Sequence, residues 1–164
     1  MGPSCNATFD LISSSEHGVP DSAFTASSES SYDRRASSSR IDAAYSWIAD
    51  PGHPPHWIKV DLGQDRVVKG IRTTSNTDGG LVFTRQYTIS ASRDDVNWTT
   101  IQENADNVVF EGNSDENRYA IVTNLLPAPI TTRFVRLNVV TWNNYLPGLR
   151  WAVDGCPVET AGEQ

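Results

Sequence analysis

The side chains most able to bind a metal or to catalyse a reaction are three histidines, His17, His53 and His56. His53 and His56 are separated by Pro54 and Pro55, so they cannot share a helical face as zinc ligands often do. The sequence also lacks the GxSxG, HExxH and phosphate-binding glycine motifs of common enzyme classes. We therefore predict no catalytic residues, no metal ligands among the histidines and no enzyme activity.

Two cysteines and two sequons indicate the compartment in which the chain folds. Cys5 and Cys156 are the only cysteines, and they bracket nearly all of the strand-like sequence. A bond between them would close a loop of about 150 residues and contribute ~5 kcal/mol through chain entropy; two unrelated buried thiols are the alternative. Asn6 and Asn97 begin Asn-X-Thr sequons for N-glycosylation. Together these residues favour an extracellular location, either secreted or in an ectodomain.

Length, charge and hydropathy exclude several classes of protein. With 164 residues the chain can form one domain with its own core. The chain has a formal charge of −7, so it lacks the basic surface that is typical of a nucleic-acid binder. The same negative charge disfavours attraction to anionic lipid. No segment approaches the ~20 apolar residues of a membrane-spanning helix. We expect residues 1–4 to be a non-native extension and residues 157–164 to be a flexible tail or linker.

Short segments with strand periodicity recur along the chain, and polar turns separate them. In the segments 57–63 and 87–92, every second residue is apolar, which is typical of strands with one buried face. The inward positions are Ile58, Val60, Leu62, Tyr87, Ile89 and Ala91. No stretch has the longer apolar period of a helix. The pattern predicts an all-β antiparallel sandwich or barrel.

A series of motifs resembles the discoidin family, also called the type C domains of coagulation factors five and eight. The resemblance extends from Cys5 to Cys156. The motifs are PDSAFTAS (20–27), SSSRI (37–41), Trp47, WIKVDLG (57–63), YTISASRDDVNW (87–98), FEGN (110–113), TRFVRLNVVTW (132–142) and LRWAVDGC (149–156). Each motif is weakly specific alone, but their order and spacing are specific together.

The resemblance implies an eight-stranded antiparallel jelly roll over residues 5–156, with its ends joined by a Cys5–Cys156 disulfide. It also implies that the domain is a binding module rather than an enzyme, and that ligands bind at loops crowning one end. Arg136 and Arg150 are expected to form ion pairs inside the scaffold rather than to contact ligands.

The family architecture places four segments of this chain at the binding end. We call them the crown loops: loop 1 (29–35), loop 2 (49–56), loop 3 (76–82) and loop 4 (143–146). Their polar and aromatic side chains are typical of sugar sites, where rings cover an apolar sugar face and polar groups bind hydroxyls. The candidate ligand-binding residues are Tyr32, Asp33, Arg34, Arg35, Asp50, His53, Thr77, Asp78, Leu81, Val82, Trp142, Asn143, Asn144 and Tyr145.

Loop 3 decides between two kinds of ligand. Its sequence SNTDGGLVFT (75–84) has a Gly79-Gly80 pair suited to a tight turn, which puts the apex at 77–80. The trio 81–83 then re-enters the core. If the turn slipped by two residues, Leu81 and Val82 would instead be exposed and could insert into a membrane.

The sequence therefore predicts an extracellular recognition or adhesion module that binds a glycoconjugate or protein, with no nucleic-acid partner. The alternative is a docking module for anionic phospholipid such as phosphatidylserine, which would use Leu81 and Val82 beside basic residues. No cofactor is expected, although some family members hold a structural calcium ion. Asp21 and Asp115 are the candidates for such a site here.

Overall fold

The computed structural model of the chain describes residues 2–114, 116–143 and 145–159. Within those residues there are three 3₁₀ turns, at Asp21–Ala23, Tyr32–Arg34 and Ala36–Ser39, and no α-helix. The strands are β1 (Phe9–Asp10), β2 (Phe24–Ala26), β3 (Trp47–Ile48), β4 (Trp57–Thr74), β5 (Thr84–Ser92), β6 (Thr99–Thr100), β7 (Gln102–Glu103), β8 (Asp106–Asn107), β9 (Phe110–Glu111), β10 (Val122–Trp142) and β11 (Gly148–Pro157).

The strand pairings are antiparallel and confirm the predicted all-β class. The main hydrogen-bonded order is β1–β11–β4–β10–β5–β6, and β2, β3 and β9 attach to β4, β11 and β5. β7 and β8 form a separate hairpin. Six of the strands in the described chain have only two residues, so their number exceeds the expected eight through short pairings at the margins.

β4 and β10 form a long ribbon that folds back on itself. The sequence pattern suggested two strands separated by a turn at 63–65, but β4 is continuous from Trp57 to Thr74 and bends at Gly63, which has a φ of +87°. Residues 57–61 pair with one half of β10 and residues 66–73 with the other. The first half of β4 also pairs with β2 and the second half with β11. This folded ribbon supplies strands to both layers of the sandwich.

The core lies between these two layers. Ile58, Val60 and Leu62 are buried as the alternating pattern predicted. Two tryptophans, Trp47 and Trp151, are among the largest side chains that are completely buried. β5 differs from its pattern, because Ala91 is only half-buried while the expected outward residues Ser90 and Ser92 are buried. Neighbouring side chains reach both residues: Asn138 Nδ2 donates to Ser90 Oγ at 3.1 Å, and the Thr132 hydroxyl donates to the Ser92 carbonyl at 2.9 Å.

The predicted disulfide between Cys5 and Cys156 is present. Their Cα atoms are 5.7 Å apart and the two residues are separated by 151 positions in the sequence. Pro157 pairs with Arg66 beside the β4 bend, so the disulfide lies at the end of the sandwich opposite the crown loops. We call that end the base.

Candidate functional site

The four crown loops meet at one end of the sandwich. The backbone N–H of Ala49 in loop 2 donates to the carbonyl of Pro147, directly after loop 4, at 2.9 Å. The N–H of Asn143 in loop 4 donates to the carbonyl of Phe83, directly after loop 3, at 3.0 Å. These bonds unite segments that are far apart in the sequence.

Loop 3 is folded around one buried amide. Asn76 is 1% exposed, and its Nδ2 donates to the carbonyls of Asp78 at 2.6 Å and Gly80 at 2.7 Å. Its Oδ1 accepts the N–H of Val82 at 2.9 Å. Gly79 has a φ of +70°, a conformation that glycine adopts without a Cβ penalty. The exposed apex is therefore Asp78–Gly80, in agreement with the turn chemistry of the sequence.

The trio 81–83 belongs to the wall of the core. Val82 is 0% and Phe83 is 2% exposed, and Leu81 is half-buried with its carbonyl accepting Asn143 Nδ2 at 2.9 Å. Including Val82 among the ligand-binding residues was wrong for this conformation, because a side chain without accessible surface cannot touch a ligand. The preferred interpretation of the trio as core re-entry agrees with this burial.

A pocket of about 200 Å³ opens between loops 1, 3 and 4. Its polar lining comes from all three loops. The residues that face it include Ser30, Ser31, Arg34, Asp78, Gly80 and Tyr145. Since ligand pockets for drug-sized molecules usually measure 300–1,000 Å³, this one suits a single small unit such as a terminal sugar.

Arg34 and Asp78 form the charged side of the pocket. Arg34 Nη2 donates to Asp78 Oδ1 at 2.8 Å, linking loops 1 and 3 across 44 residues of sequence. The guanidinium also lies 5.3 Å from the centroid of the Tyr45 ring, within cation–π distance. Its Nη1 is buried without a hydrogen-bond partner.

Tyr145 forms the aromatic side of the pocket. It is 59% exposed, so most of its ring is available to a ligand. The ring packs against Gly80 so closely that a Cβ on residue 80 would lie 2.5 Å from Tyr145 Cε2. The position of the Tyr145 ring therefore depends on the absence of a side chain at residue 80.

Several other predicted residues lie outside the pocket. Arg35 stacks on Tyr32 with its Cζ 4.0 Å from the ring centroid, and both side chains are exposed. The Thr77 hydroxyl donates to the carbonyl of Ala44. Asp33 is exposed in the 3₁₀ turn of loop 1.

Loop 2 carries a separate contact between a histidine and a carboxylate. His53 Nδ1 lies 2.8 Å from Asp50 Oδ2, and both side chains are substantially exposed. The pKa of Asp50 is lowered chiefly by the backbone N–H of Gly52, which donates to Oδ1 at 3.0 Å, and further by His53. This pair stiffens loop 2 but does not line the pocket. Asn144, also predicted to bind ligand, lies outside the described residues.

The structure thus unites three predicted residues, Arg34, Asp78 and Tyr145, in one pocket. It adds residues that the sequence did not single out. These are Ser30 and Ser31 in the lining, Tyr45 beneath the guanidinium, and Asn76 and Gly80 as positioning residues. Asn76 could have been found from the sequence, because it directly precedes the Thr-Asp-Gly-Gly turn and asparagine side chains commonly hydrogen-bond the backbone of such turns.

Among the residues that the structure describes, Arg150 and Arg136 do not make the ion pairs that the sequence suggested. Arg150 Nε donates to the carbonyl of Ser75 at 2.7 Å, and its Nη1 donates to the carbonyl of Ile41 at 2.6 Å. Arg136 stacks on Trp98, with its Cζ 4.5 Å from the ring centroid. Burial lowers the pKa of both side chains. As expected, both act in the scaffold.

His56 is the last residue of loop 2, and both its ring nitrogens are buried without hydrogen-bond partners among the described residues. Its ring meets Trp142 edge to face, with centroids 5.4 Å apart. Burial lowers the pKa of His56 below its usual value near 6.5, and the charge of Asp50 opposes that shift only in part. His56 is therefore neutral in the folded protein at neutral pH.

Because His56 is neutral when folded, we expect the free energy of unfolding to decrease as the pH is lowered from 7.5 to 6. The unfolded chain binds a proton at His56 near pH 6.5, whereas the folded chain resists it, so the free energy of unfolding falls as pH decreases. A His56→Phe variant, which keeps the ring against Trp142, should lose less stability over the same interval. Urea unfolding at several pH values measures the difference. Identical pH profiles for the variant and the natural sequence would contradict the assignment.

Among the described residues, no cluster of three or more His, Cys, Asp or Glu side chains is placed to hold a metal ion. Asp115, one of the two calcium candidates, lies outside those residues, and the cofactor expectation stays a prediction. In the described ranges there is also no helix with the length and hydropathy to cross a membrane.

The fold and the crown pocket define a disulfide-closed β-sandwich with a small polar and aromatic site between its end loops. The model of the F5/8 type C domain family matches residues 23–153. The chain belongs to this family, as its motifs predicted.

Mouse lactadherin is 31% identical to this chain over 173 aligned residues, covering 93% of the chain and 37% of that protein. The chain thus spans less than half the length of this relative. Discoidin II of Dictyostelium discoideum superposes with a TM-score of 0.72 at 20% identity, over 85% of this chain and 56% of that one. A family 32 carbohydrate-binding module of Clostridium perfringens NanJ, solved with galactose, gives 0.60 at 24% identity, over 82% of this chain and 96% of that module. Both structural likenesses show the shared fold.

Proposed function

We propose that this domain is an extracellular recognition module that binds a terminal neutral sugar of a glycoconjugate in the crown pocket. The observation that carries the proposal is the Arg34–Asp78 pair beside the exposed ring of Tyr145. The pair offers a donor and an acceptor at one place, and the ring offers an apolar face.

Sugar hydroxyls match this arrangement. One hydroxyl oxygen can accept from the guanidinium of Arg34, whose side chain is 18% exposed. A neighbouring hydroxyl can donate to the Asp78 carboxylate, whose Oδ1 already accepts a hydrogen bond from Arg34. Charge-assisted hydrogen bonds of this type are about twice as strong as neutral ones. The apolar face of the sugar ring would then rest on Tyr145.

Charge favours a neutral sugar over an acidic ligand. Arg34 is already paired with Asp78, so the pocket has little net positive charge. The whole chain carries a formal charge of −7, which repels anions at longer range. Single sites of this size bind weakly, so repeated copies of the ligand would add affinity through avidity.

The disulfide supports the extracellular part of the proposal, because such bonds persist in oxidising compartments. The phospholipid alternative is not favoured. It depends on exposed Leu81 and Val82, and Val82 has no accessible surface.

The test is a titration with galactose, followed by nuclear magnetic resonance of the backbone amides. Galactose is the first probe because the structural neighbour from Clostridium perfringens was solved with it. We expect shifts at loops 1, 3 and 4. Arg34→Ala should weaken binding by about 10- to 100-fold, the equivalent of losing one or two charged hydrogen bonds. Gly80→Ala should also weaken it, because the added methyl group displaces the Tyr145 ring.

Arg35→Ala is the matched control, since it removes the same charge from an exposed side chain that does not line the pocket. It should bind as the natural sequence does. Equal losses in Arg34→Ala and Arg35→Ala would contradict the pocket, as would failure of every neutral glycan on an array. Binding to phosphatidylserine vesicles that Leu81→Ser abolishes would establish the lipid alternative instead.

A further inference from the structure

Both sequons lie away from the crown. Asn6 follows Cys5, whose disulfide partner Cys156 is near the end of β11 at the base. Asn97 lies in the turn after β5, and Ser92 at the end of that strand pairs with Phe134, in the part of β10 that lies at the base. Glycans on these asparagines would leave the crown pocket uncovered.

The turn that holds Asn97 presents its amide outward. Asp94 Oδ1 accepts the backbone N–H groups of Val96 at 2.9 Å and Asn97 at 2.8 Å, while Asp94 Oδ2 accepts Asn97 Nδ2 at 2.8 Å. An asparagine amide has two N–H bonds, and this contact uses one. The other is available for substitution, and Asn97 itself is exposed. These hydrogen bonds also lower the pKa of Asp94, so its carboxylate remains an acceptor at physiological pH.

A groove of about 370 Å³ begins beside this amide and is separate from the crown pocket. Asn97 is part of its wall. Aliphatic groups of Ala91, Ile101 and Ile130 form one part of the lining. The other lining residues are polar or charged: Ser92, Arg93, Asp94, Thr99, Thr131 and Thr132. Ile101 and Ile130 are partly buried and pack against the hydrophobic core. The groove therefore places the apolar surface of Ile101 and Ile130 in the same cavity as the sequon asparagine.

We propose that Asn97 carries an N-linked glycan whose first N-acetylglucosamine lies in this basal groove. In the attachment step, Asn97 Nδ2 bonds to C1 of the sugar of a lipid-linked oligosaccharide diphosphate. The C1–O bond to the diphosphate breaks, the lipid diphosphate leaves with the electron pair, and one Nδ2 proton passes to the transferase. The second proton stays on Nδ2, and in the folded protein it can donate the hydrogen bond to Asp94.

The groove and the sugar have complementary surfaces. The acetamido methyl group and one face of the sugar are apolar and would cover Ile130 and Ile101, which removes apolar area from water. The hydroxyls on the opposite face would remain hydrated. Because the Asp94 contact fixes the direction of the amide, the first sugar is held near the groove instead of sampling all orientations.

The test begins with the full chain carrying Asn6→Gln, so that Asn97 is the single sequon, secreted from a eukaryotic cell line that makes only high-mannose glycans. Mass spectrometry should find a glycan at Asn97 that Thr99→Ala abolishes and Thr99→Ser retains. Trimming with endoglycosidase H then leaves one N-acetylglucosamine. This trimmed protein should melt about 2–4 °C above the same chain made without glycan in bacteria.

The contact with the groove is tested by Ile130→Ala, measured with and without the single sugar. The rise in Tm should fall below about 1 °C in this variant, and a nuclear Overhauser effect should join the acetamido methyl group to Ile130 in the natural sequence. Absence of a glycan at Asn97 would overturn the modification site. A glycan that gives no rise in Tm, or an equal rise in the Ile130→Ala chain, would overturn its placement in the groove.

Discussion

A chain with Cys5→Ser and Cys156→Ser should lose about 5 kcal/mol of unfolding free energy, the largest effect expected of any change considered for this domain. The disulfide joins residues 151 positions apart, so it closes almost the whole chain and removes many conformations from the unfolded state. For a domain of this size the loss corresponds to a decrease in Tm of roughly 10–20 °C. Thermal unfolding followed by circular dichroism measures it.

Chemical reduction provides the control for the disulfide. Adding a thiol reductant should lower the Tm of the natural sequence to that of the double serine variant, and should leave the variant unchanged. This comparison separates loss of the bond from loss of packing by Cys156, which is buried. If the reduced and oxidised forms of the natural chain melted together, the bond would not constrain the unfolded state as we expect.

Replacement of Arg150 by methionine should cost about 3 kcal/mol, because it removes two charge-assisted hydrogen bonds inside the protein. Arg150 is 6% exposed, and its guanidinium binds the carbonyls of Ser75 and Ile41. Methionine has a similar length but donates no hydrogen bond, so both carbonyls would lose their partner. Ser75 directly precedes loop 3, and we therefore also expect altered amide chemical shifts at Asn76 and Val82.

The same substitution at Arg93 is the matched control. Arg93 is largely exposed and pairs with Asp65 at the surface, where ion pairs contribute about 0–1 kcal/mol. Urea unfolding of Arg150→Met and Arg93→Met should therefore give clearly different losses. Arg150→Lys should recover only part of the stability, since one ammonium group lacks the fork geometry of a guanidinium. Equal losses at the two arginines would contradict the role assigned to Arg150.

The wall of the sandwich was predictable from the sequence because its signals are local. Alternation in a strand follows from the opposite directions of successive side chains, so Ile58, Val60 and Leu62 could be assigned to the core without knowing their partners. The Gly79-Gly80 pair is also a local signal, and from it the segment 81–83 was correctly assigned to the wall of the core. Alternation failed where distant elements covered a second face, as at Ser90 and Ser92.

The crown pocket required the tertiary structure. The loop sequences indicated polar and aromatic chemistry at one end of the fold, but not which side chains converge. Arg34 reaches Asp78 across 44 residues because Asn76 shapes one loop. Tyr145 stands beside them because Gly80 has no Cβ. Such positions depend on hydrogen bonds and close contacts between segments distant in the sequence, and no local period encodes them. The sequence by itself therefore indicated the family, the all-β class and, through the family resemblance, the disulfide. The folded chain alone decided which few loop residues form a site.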